Sequence, residues 1–148
     1  MKEMIKRIRE EKGGFTLAEL LIVVAIVMVL VAIAVPVFAG SMDSANASTD
    51  EANVRSGYAQ SQVFTLTKAD NQDVAIADGA VYWLTTDAEL VKGATAPADA
   101  YVTKGSSTKL NGMPSYMPAW EANQNIKYAF AVAGDGAVTV TVTAEATS

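Results

Sequence analysis

The feature that limits this chain most is an unbroken apolar run of sixteen residues, Leu20–Val35. From Leu17 to Ala39 only Glu19 and Pro36 depart from apolar, helix-compatible residues. At 1.5 Å per residue this stretch makes about 35 Å of helix, enough to cross a hydrocarbon core of about 30 Å. It is apolar all round, so it must lie in lipid, in protein, or in each at different stages. Its many Val and Ile residues are no obstacle, because lipid leaves the backbone no hydrogen-bond partner outside the helix.

Charge gives the run a direction. Residues 1–14 carry Lys2, Lys6, Arg7, Arg9 and Lys12 against Glu3, Glu10 and Glu11, whereas residues 15–148 carry six basic and thirteen acidic side chains. The basic head is expected to stay cytoplasmic and the acidic body to cross, giving a single-pass, N-in topology. The net charge of −5 argues against a nucleic-acid partner, whose phosphates need a basic face. The chain has no cysteine and no histidine, which removes disulfides, thiolate nucleophiles, imidazole bases and the usual zinc sites. No phosphate-cradling glycine loop with its lysine is present. Enzymes built only on carboxylates or lysine stay open on these grounds; it is the N-terminal motif described below that leads us to expect no catalytic residue, metal or cofactor.

Two details set the run apart from a plain anchor. Glu19 places a carboxylate near its cytoplasmic start, where lipid demands water or a cation as partner. Gly13 and Gly14 interrupt the chain just before it and leave that peptide accessible. A secretory signal would explain the basic head, with Val37-Phe38-Ala39 before Gly40 as its cleavage site. The apolar run, however, exceeds the 7–15 residues or so of such a signal, and a carboxylate near its start is foreign to one.

The segment Lys12-Gly-Gly-Phe-Thr-Leu-Ala-Glu-Leu-Leu-Ile-Val-Val-Ala-Ile resembles the class III signal of type IV pilins and pseudopilins. The resemblance is close over residues 1 to about 40 and only architectural beyond. It implies cleavage by a prepilin peptidase between Gly14 and Phe15, N-methylation of Phe15, and a charge pair in assembly between Glu19 and the Phe15 amine of a neighbouring subunit. It also implies a helix kink at Pro36, with Gly40 close behind. Ala18 stands where the family often has a larger aliphatic residue, and the C-terminal disulfide loop of many members is missing. From the residues alone, Glu19 also reads as a helix-start carboxylate favoured by the helix dipole. Pro36 removes a backbone donor and crowds the carbonyl of Ala32, so residues 32–40 are the natural place for a bend.

Beyond Gly40 the pattern turns amphipathic. Ala45, Thr49, Ala52, Ser56, Ala59, Val63 and Leu66 recur every three or four residues, a small-residue stripe expected to pack on a sheet or a neighbouring subunit. Val54, Tyr58, Ser61 and Phe64 make a second stripe beside it, and Asp43, Asp50, Glu51 and Arg55 read as solvated. One helix is expected from about Thr16 to Lys68. Residues 126–132 and 138–143 alternate in the β period around Gly134-Asp135-Gly136 and predict a hairpin. Ala80–Thr85 predicts a third strand and Ala100–Thr103 a fourth, with 111–118 a loop. Asp70, Asn71, Asp73 and Asp78 offer calcium-type oxygens without an EF-hand spacing and read as solvated loop. Trp83 and Trp120 read as core or subunit-contact aromatics.

The expected fold class is α+β, a long N-terminal helix packed by its second half on a small antiparallel sheet. Its parts are a cleaved leader (1–14), a membrane and filament-core helix (15–39), its amphipathic continuation (40–68) and a β-sheet head (69–148). The resemblance implies a filament subunit whose partners are a prepilin peptidase/methyltransferase, like subunits, and an inner-membrane assembly platform with its ATPase. A pseudopilin of a secretion or DNA-uptake system shares every motif. A monomeric anchored or secreted binding domain is the third reading.

Overall fold

The computed structural model describes Glu3 and residues 14–147. The remaining leader positions, and the expectations placed on them, lie outside the described residues. One helix, α1 (Leu17–Thr67), is followed by β1 (Val81–Leu84), β2 (Leu90–Lys92), a 3-10 turn (Ser107–Lys109), β3 (Gln124–Val132) and β4 (Val138–Ala146). The chain divides into two compact units, Met1–Gly40 and Ser41–Ser148.

In the first unit, α1 begins on a reciprocal cap. The Thr16 N–H donates to Glu19 Oε2 at 2.8 Å, and the Glu19 N–H donates to Thr16 Oγ1 at 3.2 Å. Two of the donors that every helix start leaves unpaired are thereby satisfied. Residues 17–40 are helical throughout, Pro36 and Gly40 included, and every one of them is exposed.

In the second unit, four strands form one antiparallel sheet in the order β2-β1-β3-β4. The buried stripe of α1 is Ala47, Asp50, Val54, Gly57, Ser61 and Phe64, spaced by three and four residues. The small-residue stripe does not pack on the sheet: Ala45, Thr49, Ala52, Ser56, Ala59, Val63 and Leu66 all lie exposed, and the second stripe carries that packing. The reason is volume. Val54 and Phe64 reach the aromatic core, whereas a row of alanines and serines fills too little of it. Tyr82, Leu84, Ile126, Tyr128 and Phe130 meet them from β1 and β3, with the Tyr82 and Phe130 rings edge-on at 5.3 Å. α1 ends at Thr67, and Lys68 turns the chain at φ +59°.

The C-terminal hairpin forms as its alternation predicts. β3 and β4 pair without a break from Gln124↔Ala146 to Val132↔Val138. The loop closes with Gly136 N–H on the Ala133 carbonyl at 2.8 Å, and Gly136 takes φ +76°, which glycine adopts without a steric penalty. The third expected strand is β1. The fourth is misplaced: residues 100–103 make only isolated bridges, Thr85↔Ala100 and Val102↔Asn125, and β2 supplies the fourth strand. Tyr101 and Thr103 are spent on cross-links to α1 and β3, so this segment crosses the sheet end instead of extending it. Both tryptophans are buried. Trp120 lies in the core, and Trp83 donates its ring N–H to the Gly93 carbonyl at 3.0 Å.

Candidate functional site

The candidate segment runs from Gly14 into the stem. Gly14, Phe15 and Thr16 precede the helix outside any regular element, and all three are exposed, Phe15 by 84%. Glu19 comes next, one turn into α1. Its hydrogen-bond partner is Thr16, a residue the sequence reading passed over although Thr-x-x-Glu ahead of an apolar run is a capping signature. The box uses only atoms C-terminal to the Gly14–Phe15 bond. A cut at that bond would remove none of the atoms of the box.

The stem presents an uninterrupted apolar mantle. Leu20, Leu21, Ile22, Val27, Leu30, Ile33, Val37 and Phe38 each expose at least half of their surface. Water does not tolerate so large a contiguous apolar surface, and the length and composition suit a membrane span.

Within the second unit, residues 41–67 are fixed to the head by a buried carboxylate. Asp50 is fully buried, which corrects its reading as solvated. It accepts the Tyr101 hydroxyl at 2.7 Å, the Lys104 N–H at 2.9 Å and the Gly105 N–H at 2.8 Å. Burial, together with the neighbouring Asp50 carboxylate, pushes the Tyr101 phenol up to about 12. The Asp50 contacts require the loop to approach the helix backbone closely. A Cβ on Gly105 would sit 2.5 Å from the Ala47 nitrogen. Gly57 is the other close approach, where a Cβ would overlap the Tyr128 hydroxyl, which donates to the Val54 carbonyl at 2.7 Å. Gln60 ties α1 to the β1–β2 turn, donating to Ala88 O at 2.6 Å and accepting from the Leu90 N–H at 3.1 Å.

Two of the candidate calcium ligands, Asp70 and Asp78, have other tasks. Asp70 accepts the Gln72 and Val74 N–H groups at 2.9 and 3.0 Å and the Tyr82 hydroxyl at 3.0 Å. It is buried, not solvated. Burial opposes its charge, but the N–H groups of Val74 and Gln72, the Tyr82 hydroxyl and Lys92 together hold its carboxyl below the usual range. Burial and Asp70 push Tyr82 up to about 12. Asp78 accepts the Val132 N–H at 2.9 Å. Among the described residues no three Asp or Glu side chains are grouped as metal ligands.

Residues 11–35 match the family model described as the prokaryotic N-terminal methylation motif, which is the class III signal of type IV pilins. No match to the chain is found among curated proteins or among solved structures. The motif together with the long apolar helix fits a membrane-anchored, pilin-like or pseudopilin precursor.

Proposed function

We propose that this precursor becomes a structural, non-enzymatic subunit of a type IV pilus-like surface filament. The observation that carries the reading is the methylation motif over residues 11–35 set directly on a helix long and apolar enough to cross a membrane. A prepilin peptidase hydrolyses the Gly14–Phe15 bond, and methylation of the freed Phe15 amine keeps its positive charge. The apolar stem holds the subunit in the cytoplasmic membrane until an assembly platform extracts it with an ATPase. In the filament the stems exchange lipid for each other, and the acidic heads face outward.

Glu19 is the residue that sets register. A carboxylate at hydrocarbon depth is costly unless paired, and the Phe15 amine of a neighbouring subunit is the complementary charge. The Thr16 cap orients Glu19 before that partner arrives. Pro36 and Gly40 give the stem a place to bend as it packs.

The motif serves pseudopilins equally, and filament abundance separates the two. In the native host, shearing should release filaments built of this chain. Glu19→Gln should be cleaved and methylated normally yet stay in the membrane fraction. Filaments of normal yield from Glu19→Gln would remove the register role. Absence of the wild-type chain from sheared filaments, despite processing, would favour a short pseudopilus.

A further inference from the structure

We propose that the open edge of β4 pairs with β4 of a second copy of this chain, antiparallel, about a two-fold axis at Thr141. β4 is the last strand in the sheet order and runs nine residues, against about five or six for an ordinary strand. Which of its backbone groups are free follows from the ladder. The Phe130 N–H and carbonyl bond Ala80 and Gly79 on the β1 side, whereas the Ala133 N–H bonds Ala137 across the hairpin. Alternation then turns Thr139, Thr141 and Thr143 toward β3, through the pairs with Ala131, Ala129 and Lys127. The N–H and C=O groups of Val138, Val140, Val142 and Ala144 point away from the sheet. Among the described residues nothing bonds them.

Exposed edges are normally blunted by proline, lysine, a bulge or a short strand. This one has none of these, and its one charge, Glu145, is ion-paired with Lys127 near the strand end. The sequence itself names the occupant. Val-Thr-Val-Thr-Val-Thr-Ala reads nearly the same in both directions. Antiparallel pairing about Thr141 sets Val140 opposite Val142 and Val138 opposite Ala144. All four are residues with outward backbone groups, and each pair exchanges two N–H···O bonds.

The faces match as well. Val138 and Val140 are half-buried against the core, while Thr139 and Thr141 are exposed on the other side. Pairing covers the remaining valine surface and lines threonine against threonine. Glu145 falls opposite Ala137, so no carboxylate of one strand meets a carboxylate of the other despite the acidic body. The inference rests on the Ser41–Ser148 unit and is independent of leader processing and of filament assembly.

The chain lacks cysteine, so single cysteines report the contact in the full chain held in detergent micelles. Under a mild thiol oxidant, which takes up the two electrons and two protons of disulfide formation, Thr141→Cys should cross-link about tenfold faster than Thr139→Cys or the loop variant Asn111→Cys, because only Thr141 faces its own copy within disulfide reach. Equal rates for the three overturn the proposal. Thr141→Lys and Thr141→Glu should each weaken pairing alone, and mixing the two should restore it by about tenfold, as opposite charges replace like ones across the strands. No gain on mixing also overturns it.

Discussion

Replacing Asp50 tests how the head is held to its helix. Asp50→Ala removes the acceptor for three donors at once, the Tyr101 hydroxyl and the Lys104 and Gly105 N–H groups. Each donor left buried without a partner costs about 1–3 kcal/mol. The space vacated by the carboxylate lets a water reach part of the site, so the expected loss is about 3–5 kcal/mol rather than the full sum. Asp50→Asn keeps the volume but offers one acceptor oxygen and sets an amide N–H against a backbone N–H, for an expected loss of about 2–3 kcal/mol. Either is large beside the 5–15 kcal/mol or so that holds a typical domain. Trp83 and Trp120 both lie buried in this unit, so their fluorescence during denaturant unfolding of the micelle-held chain reads the head selectively. A loss below about 1 kcal/mol for both variants would refute the reasoning, because it would mean that the buried carboxylate is replaceable by solvent.

Other perturbations follow from the same contacts. Gly105→Ala forces backbone against backbone at Ala47 and should cost about 3 kcal/mol or more, while Gly57→Ala must displace the Tyr128 hydroxyl and should cost about 1–3 kcal/mol, both read by the same unfolding midpoints. Asp70 has a depressed carboxyl pKa, so its contribution is present above the unfolded carboxylate range and is lost as pH falls through the lower folded value; Asp70→Asn should flatten this acid limb of the stability curve. Tyr82 and Tyr101 behave in the opposite sense. Above pH 10 the unfolded phenols ionise while the folded ones stay protonated to about 12, so stability should fall across that window, and ultraviolet titration should show their ionisation delayed until the head opens. Thr16→Ala should loosen the first turn of α1 by about 1 kcal/mol, seen as faster hydrogen exchange at Leu17–Glu19 without change in the head.

Much of the fold could be read in the sequence where one period dominated. The helix was legible over its length because an apolar run merges into a three-and-four spacing, and the β3–β4 hairpin because Val/Thr alternation brackets Gly134-Asp135-Gly136. The register of the helix was harder. Two stripes of like spacing competed, and a search for small or apolar residues excluded Asp50, which is fully buried. A carboxylate is buried only when the tertiary fold brings donors to it, here from Tyr101–Gly105, more than fifty positions away. β2 escaped notice because three residues cannot display an alternation, and Ala100–Thr103 mimicked one while serving cross-links. At the N-terminus, the motif drew attention to Phe15 and Glu19, and the Thr16 cap between them went unread although its spacing was visible.

The central claim concerns processing, and mass spectrometry of the mature chain from the native host tests it most directly. The account predicts an N-terminus at methylated Phe15, with Gly14 and everything before it gone. A chain beginning at Gly40, or one retaining Met1, would contradict it. The apolar stem would then be a discarded signal or a plain anchor.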